Sequence, residues 1–145
     1  MTGVAIEKRM RRAAPALLRL ALGTGLLSAV ADRLGLWGSP GTSSVAWGNM
    51  TSFMTYTGQL APWCPPALLP TLAWSVTASE IVLGLLLLTG VKRKLVALCT
   101  SLLTLVFALS MTIVLGPHSP LNYSVFVFAF AAMVLGLSPQ ENRHE

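Results

Sequence analysis

The sequence predicts an all-α fold: an integral membrane four-helix up-down bundle, with an interfacial amphipathic helix between helices one and two. Of the 145 residues, 54% are hydrophobic and only 10% are charged, whereas soluble domains carry about 25% charged residues. Apolar stretches of about 20 residues, long enough to cross a bilayer as helices, recur along the chain. Short connections join the later stretches, which makes consecutive helices antiparallel neighbours.

The chain begins with a basic arm, predicted over residues 1–12, and continues into a first membrane helix over residues 13–34. The arm contains four Lys and Arg residues. Because an apolar stretch follows this basic start, Ala29-Val30-Ala31 also resembles a signal-peptide cleavage site. Arg19 is awkward within such a leader, so we expect the helix to be retained, with cleavage as the alternative.

Residues 45–60 are predicted to form an amphipathic helix that lies in the membrane interface. Apolar side chains fall on one helical face, and small or polar ones fall on the opposite face. The apolar face comprises Trp47, Met50, Phe53, Met54, Thr57 and Leu60, and the polar face comprises Gly48, Ser52, Thr55 and Gln59. A plug folded over the mouth of the bundle is an alternative that does not exclude the first.

Three further membrane helices follow, predicted over residues 67–89, 92–115 and 121–137. A cluster of prolines before the first of them prevents the interfacial helix from continuing. The turn at Lys92 is basic, and the turn at His118 contains Gly and Pro. Residues 138–145 are predicted to be a polar cytoplasmic tail.

The distribution of Lys and Arg predicts the orientation of the chain. Eight of these residues fall on one predicted side of the membrane, and only Arg33 falls on the other. Since basic residues concentrate in cytoplasmic segments, we expect both termini in the cytoplasm. Basic residues at helix ends do not form the basic face of a nucleic-acid-binding domain. The expected partner is therefore the lipid bilayer and not a nucleic acid.

Glu80 lies near the middle of the second predicted membrane helix, where a charge costs roughly 2.5–3.5 kcal/mol on insertion scales. Arg19 interrupts the first helix. Counted from the cytoplasmic helix ends, Arg19 lies roughly 9 Å deep and Glu80 roughly 14 Å deep. An extended arginine can cover that difference, and small residues beside both charges let the helices approach closely. We therefore expect an intramembrane Arg19–Glu80 polar centre, with Thr77 on the same face.

This polar centre has an alternative arrangement. Arg19 would extend to the cytoplasmic headgroups, and Glu80 would stay protonated and hydrogen-bonded to Thr77 or to a neighbouring helix. A formed pair would also be compatible with a purely structural role. Asp32 and Arg33, at the outer end of the first helix, are predicted to be a surface ion pair that contributes little to stability.

Secondary candidates for a polar site are Asn122, Tyr123 and Cys64, all on the predicted outer side. The sequence has no Cys pair and no Cys/His set with metal-ligand spacing, so no metal cofactor is expected. Cys64 and Cys99 are predicted on opposite sides of the membrane, well beyond the ~7 Å Cα separation that a disulfide allows. Three alternatives remain for Cys64: an exposed cysteine without a chemical role, a reactive thiol, or one half of an intermolecular disulfide.

Several short motifs occur in a characteristic order between about residues 18 and 137. They are Leu18-Arg19-Leu20, Ala31-Asp32-Arg33-Leu34-Gly35, Trp47-Gly48-Asn49, Tyr56-Thr57, Glu80 with Leu83-Gly84, Phe107-Ala108 with Met111, and Pro120-Leu121-Asn122-Tyr123-Ser124-Val125-Phe126. In this order the chain resembles the DoxX family of small four-helix membrane proteins. A related branch, DoxD, is the membrane subunit of a thiosulfate:quinone oxidoreductase. The resemblance therefore implies quinone-linked or thiol-linked redox work in the bacterial cytoplasmic membrane.

Three functions follow as hypotheses. In the first, the Arg19–Glu80 centre of a redox-associated protein holds a quinone or relays its protons. Since the chain has no self-contained catalytic motif, it would be a subunit of a quinone-linked oxidoreductase, and a quinone or membrane or peripheral redox subunits would carry the electrons. The alternative is a non-catalytic scaffold or accessory subunit, and a small transporter is opposed by the charge bias. A homo-oligomer is compatible with each.

Overall fold

The computed structural model describes residues 3–139, and every regular element in that range is helical. The helices are α1 (Gly3–Arg33), α2 (Met50–Leu60), α3 (Leu69–Thr89), α4 (Arg93–Leu115), α5 (His118–Asn122) and α6 (Val125–Leu137). A 3₁₀ turn at Pro66–Leu68 leads directly into α3. Within the described range, three segments are long and apolar enough to cross a membrane, Gly3–Arg33, Pro66–Thr89 and Arg93–Leu115. These are the features of a helical membrane protein.

The outer surfaces of the long helices are strongly apolar. Ile113 is 82% exposed and Leu102 is 64% exposed. Soluble proteins rarely expose contiguous apolar surface on this scale, whereas a bilayer covers such surface with hydrocarbon. The exposure pattern therefore agrees with the membrane class that the composition predicts.

α1 and α3 pack antiparallel through facing glycines. A Cβ atom on Gly23 would lie 3.0 Å from the carbonyl oxygen of Gly84, and one on Gly84 would lie 3.2 Å from that of Gly23. Small residues allow such a close backbone approach between membrane helices. At one end of the pair, the guanidinium of Arg19 lies against Gly90, which ends α3 in the left-handed conformation with φ +78°. These two contacts define the register of α1 against α3.

α4 and α6 form a second packed pair. A Cβ atom on Gly136 would lie 3.2 Å from the carbonyl oxygen of Lys94, and Arg93 donates a hydrogen bond to the carbonyl oxygen of Ser138 at 2.7 Å. A common core joins the two pairs, formed by Leu22, Leu26, Leu87, Val96, Ala97, Ala132 and Leu135. All four helices therefore pack around one apolar interior.

α1 begins ten residues earlier than predicted, because the basic arm continues the helix from Gly3. Within this extension Arg11 donates a hydrogen bond to Glu7 at 3.0 Å, one helical turn away. Residues 1–2 of the predicted arm and residues 140–145 of the predicted tail lie outside the described part of the chain. α3 and α4 begin and end within two residues of their predicted bounds.

The prediction of a single helix over residues 121–137 is wrong for its first residues. The chain turns at Tyr123 and Ser124, where Ser124 takes a left-handed conformation with φ +54°. The carbonyl oxygen of Ser124 then accepts a hydrogen bond from the N–H of Phe128 at 3.0 Å, which starts α6. Apolar periodicity is continuous across this turn, so it does not reveal the break. α6 is consequently about 20 Å long at 1.5 Å per residue.

α2 is shorter than the predicted helix over residues 45–60. Asn49 caps its N-terminus, because the side-chain oxygen accepts the N–H of Ser52 at 2.8 Å. Phe53, Thr57 and Leu60 on the predicted apolar face are buried, and α2 packs against α3 and α4. This buried part of the apolar face thus contacts protein, and the position of α2 in the membrane interface or over the mouth of a bundle stays a prediction.

Candidate functional site

The charged centre of the protein is a buried pair formed by Arg33 and Glu80. Arg33 Nη1 donates to Glu80 Oε2, and Arg33 Nη2 donates to Glu80 Oε1 at 3.1 Å. Arg33 Nη1 also donates to Thr77 Oγ1 at 3.2 Å, and the Thr77 hydroxyl donates to the carbonyl oxygen of Ala73 at 2.9 Å. Arg33 is 2% exposed and Glu80 is 9% exposed. This bidentate geometry is the strong form of an arginine–carboxylate contact.

Two aromatic rings also pack against the Arg33 guanidinium. Its central carbon lies 3.7 Å from the centroid of the Phe53 ring and 5.1 Å from that of Trp47. The two rings meet edge to face, with their centroids 5.2 Å apart. A cation over an aromatic face is stabilised by the ring quadrupole, most strongly where water is excluded. α2 and the loop before it thus hold the guanidinium in place.

Asp32 fixes the loop that carries Trp47. Its carboxylate accepts the N–H of Trp47 at 2.8 Å and that of Ala46 at 3.2 Å, and the side chain is buried. Gly48 has φ +68°, and a Cβ atom there would lie 2.5 Å from the nitrogen of Pro40, so the turn requires glycine. The prediction of an Asp32–Arg33 surface pair is therefore wrong: both side chains are buried and bind different partners.

The predicted Arg19–Glu80 pair is wrong, because Arg19 lies at the other end of the helix pair. Its guanidinium lies against Gly90, ten residues from Glu80 along α3, which is about 15 Å. Helical side chains tilt toward the N-terminus of their own helix. On α1 this tilt carries Arg19 away from Glu80 and turns Arg33 inward. The alternative, in which Arg19 extends to the cytoplasmic headgroups, stays a prediction.

A cavity of about 650 Å³ opens beside the Arg33–Glu80 pair, within the size range of small-molecule sites. The polar side chains on its wall are Arg33, Glu80, Ser52, Thr55, Tyr56, Gln59, Thr104, Ser119 and Tyr123. Its apolar wall includes Leu26, Phe107, Met111, Val125 and Phe128. An apolar cavity with a few convergent polar groups can bind and orient a small organic molecule.

Tyr56 gives this cavity a hydrogen-bond donor. Its ring centroid lies 6.0 Å from that of Trp47 and 6.2 Å from that of Phe107. Burial, together with the neighbouring Tyr123, raises the pKa of Tyr56 above the usual value for tyrosine. The phenol therefore keeps its proton at neutral pH and can donate a hydrogen bond to an acceptor on a ligand.

The secondary candidates occupy three different environments. Tyr123 lies on the cavity wall. The side-chain amide nitrogen of Asn122 lies 3.2 Å from His118 Nδ1 at the surface. Cys64 is half-buried outside the cavity, with its sulfur 3.7 Å from the carbonyl oxygen of Pro65. Within residues 3–139, no three His, Cys, Asp or Glu side chains form a cluster able to hold a metal ion.

The residues that sequence reasoning missed are Arg33 as the partner of Glu80 and Tyr56 as a cavity donor. The direction in which helical side chains tilt, applied to both arginines of α1, would have favoured Arg33. Gln59 was assigned to the polar face of the amphipathic helix, and that face borders the cavity. A polar face next to a membrane helix is therefore a usable signal for a cavity wall.

Comparison with known proteins returned nothing: no family model matches the chain, and no curated protein or solved structure matches it.

Proposed function

We propose that this is a DoxX-like multi-pass protein of the bacterial cytoplasmic membrane, with α1, α3, α4 and α6 as a four-helix up-down bundle. The antiparallel packing of α1 on α3, the packing of α4 on α6 and their common core support this arrangement. α2 would lie at the outer interface and close that end of the bundle. Two residues of the motifs that carry the resemblance have structural roles in this chain, since Trp47 packs on Arg33 and Asn49 caps α2.

This topology predicts that the loop before α2 is outside the cell and the Gly90 turn is inside. Ser43→Cys and Val91→Cys, both at exposed positions, are placed in a Cys64→Ser, Cys99→Ser background. In intact cells, a membrane-impermeant maleimide is expected to label Ser43→Cys, and to label Val91→Cys only after lysis. The reverse pattern would show that the orientation derived from the basic residues is wrong.

For function, we propose that the cavity binds the headgroup of a quinone. The observation that carries this proposal is the cavity beside the Arg33–Glu80 pair, which combines hydrogen-bond donors with aromatic walls. Quinone carbonyls accept hydrogen bonds, which Tyr56 and Gln59 can donate. The flat quinone ring is also complementary to the rings of Trp47 and Phe107. Electrons would then pass between the quinone and a partner subunit, while this chain binds and orients the quinone.

Filling the cavity is expected to weaken quinone binding. Thr104 lies on the cavity wall, whereas Leu109 on the same helix is exposed. Binding of a decyl-substituted benzoquinone is measured in nanodiscs by quenching of Trp47 fluorescence, with the other three tryptophans replaced by Phe. We expect Thr104→Phe to weaken binding roughly tenfold, a change of about 1.4 kcal/mol. Leu109→Phe serves as the matched control. Equal quinone affinity in the two variants would contradict a quinone site in this cavity.

A non-catalytic scaffold is the second candidate, and the contacts of Arg33 favour it. Arg33 of α1 binds Glu80 and Thr77 of α3 and packs against Phe53 of α2, so one side chain joins three helices. Such a pair can fix helix register without any ligand. Native purification in mild detergent separates the two functions. A quinone that co-purifies with the wild-type protein, but not with Thr104→Phe, supports the quinone site, whereas partner proteins without quinone support the scaffold.

A further inference from the structure

The cavity extends along one face of α1, from the charged pair toward the middle of the helix. Arg33, Ala29 and Gly25 are spaced four residues apart and all three lie on the wall. The distance from Arg33 to Gly25 along the helix axis is about 12 Å. The cavity is therefore long enough to hold a polar headgroup at one end and the start of an apolar chain at the other.

Two parts of the cavity wall differ in chemistry. α2 contributes Thr55 and Gln59, whose side chains are exposed. α1 and α6 contribute a seam, formed by Gly25, Ala29, Val125 and Phe128. These four residues are apolar or lack a side chain, and all are half-buried. The wall is thus polar and exposed on the α2 side, and apolar and half-buried at the α1–α6 seam.

Gly25 and Phe128 meet at the centre of the seam. A Cβ atom on Gly25 would lie 2.9 Å from Cε2 of the Phe128 ring, so this ring occupies the space that a side chain at position 25 would take. Nearby, Thr24 donates its hydroxyl to the carbonyl oxygen of Leu20 at 2.8 Å. A hydrocarbon chain that crosses the seam would therefore contact the apolar side chains of Ala29, Val125 and Phe128 and a Thr24 hydroxyl that is already hydrogen-bonded.

We infer that the site takes its ligand from the bilayer and that the ligand's apolar tail leaves the protein between α1 and α6, over Gly25. This inference rests on the proposed quinone site and adds the class of ligand: an amphipathic molecule with a long tail, not a water-soluble one. A tail that leaves through an apolar seam stays in hydrocarbon, while the headgroup reaches the donors beside Arg33.

Two probes test the inference with the Trp47 fluorescence measurement in nanodiscs. One is 2,3-dimethoxy-5-methyl-benzoquinone, which has no tail, and the other is the same ring with a decyl tail. Gly25→Leu narrows the seam, and Ala21→Leu, at an exposed α1 position, is the matched control. We expect Gly25→Leu to weaken binding of the tailed quinone about tenfold or more, because overpacking at this contact obstructs the tail. The affinity of Gly25→Leu for the tail-less quinone should differ from that of the wild-type protein by less than about twofold.

The double variant Gly25→Leu, Phe128→Ala is expected to restore binding of the tailed quinone, because removal of the ring makes room for the new side chain. Val125→Phe obstructs the same seam from α6 and should reproduce the selective loss if Gly25→Leu does not fold. Equal loss of both quinones, or no loss of either, would overturn the tail path while leaving the quinone site in place. Failure of both quinones to bind the wild-type protein would instead refute the proposed function, and the inference with it.

Discussion

Glu80→Leu and Arg33→Leu are each expected to lower the free energy of unfolding by about 3–5 kcal/mol, because either change leaves an uncompensated buried charge. The double variant should be far less destabilised than the sum, since replacing both partners with apolar side chains removes the unpaired charge. The measurement is a double-mutant cycle on reversible unfolding in detergent micelles. It reports the coupling between the two side chains directly.

Arg19→Leu provides the control for this cycle. The Arg19 guanidinium lies against Gly90, about 15 Å from Glu80 along α3, so the two side chains should be energetically independent to within about 0.5 kcal/mol. Coupling of Glu80 to Arg19, with none to Arg33, would contradict the arrangement of the charged centre described above.

Gly84→Val is expected to destabilise the protein by about 3 kcal/mol, at the upper end of the range for overpacking. A Cβ atom at this position would lie 2.9 Å from Cγ of Leu27 and 3.2 Å from the carbonyl oxygen of Gly23. The Leu27 side chain can move, but the backbone oxygen cannot move without separating α1 from α3. The unfolding free energy in micelles again measures the effect.

Gly3→Val is the matched control, because a Cβ atom on Gly3 meets nothing within 4 Å. Gly84→Ala combined with Leu27→Ala should recover part of the loss by removing the Leu27 contact. Because Gly84 is one turn from Glu80, separation of the helices should also weaken the Arg33–Glu80 contact. If Gly84→Val were tolerated as well as Gly3→Val, the close approach of the two glycines would not hold the helices in register.

The sequence predicted the helices best where one signal dominated. α3 and α4 are long apolar runs that end at Gly90 and Gly116, and such runs have few alternatives to a membrane helix. Glu80 was identified because a carboxylate within an apolar run stands out. The start of α1 was missed because helix propensity continues through the basic arm, where apolar periodicity gives no signal.

The partner of Glu80 was missed for a physical reason that concerns depth. Counting residues from predicted helix ends placed Arg19 and Glu80 at similar depths, but the Gly23–Gly84 contact sets the real register. Arg33, next to Asp32 at a helix end, has the sequence context of a surface pair. Its burial depends on Trp47, which reaches it through an irregular loop that no periodicity describes.

The break at Tyr123–Ser124 has a consequence for the surrounding lipid. α6 presents an apolar rod of about 20 Å, against a hydrocarbon core that is about 30 Å thick. Under the proposed topology, lipid next to α6 would have to compress to match this rod, while lipid next to α4 would stay at its ordinary thickness. Hydrophobic mismatch of this kind costs fractions of a kcal/mol per Å. The protein would thus deform the membrane on one side only, and thinner membranes would favour it.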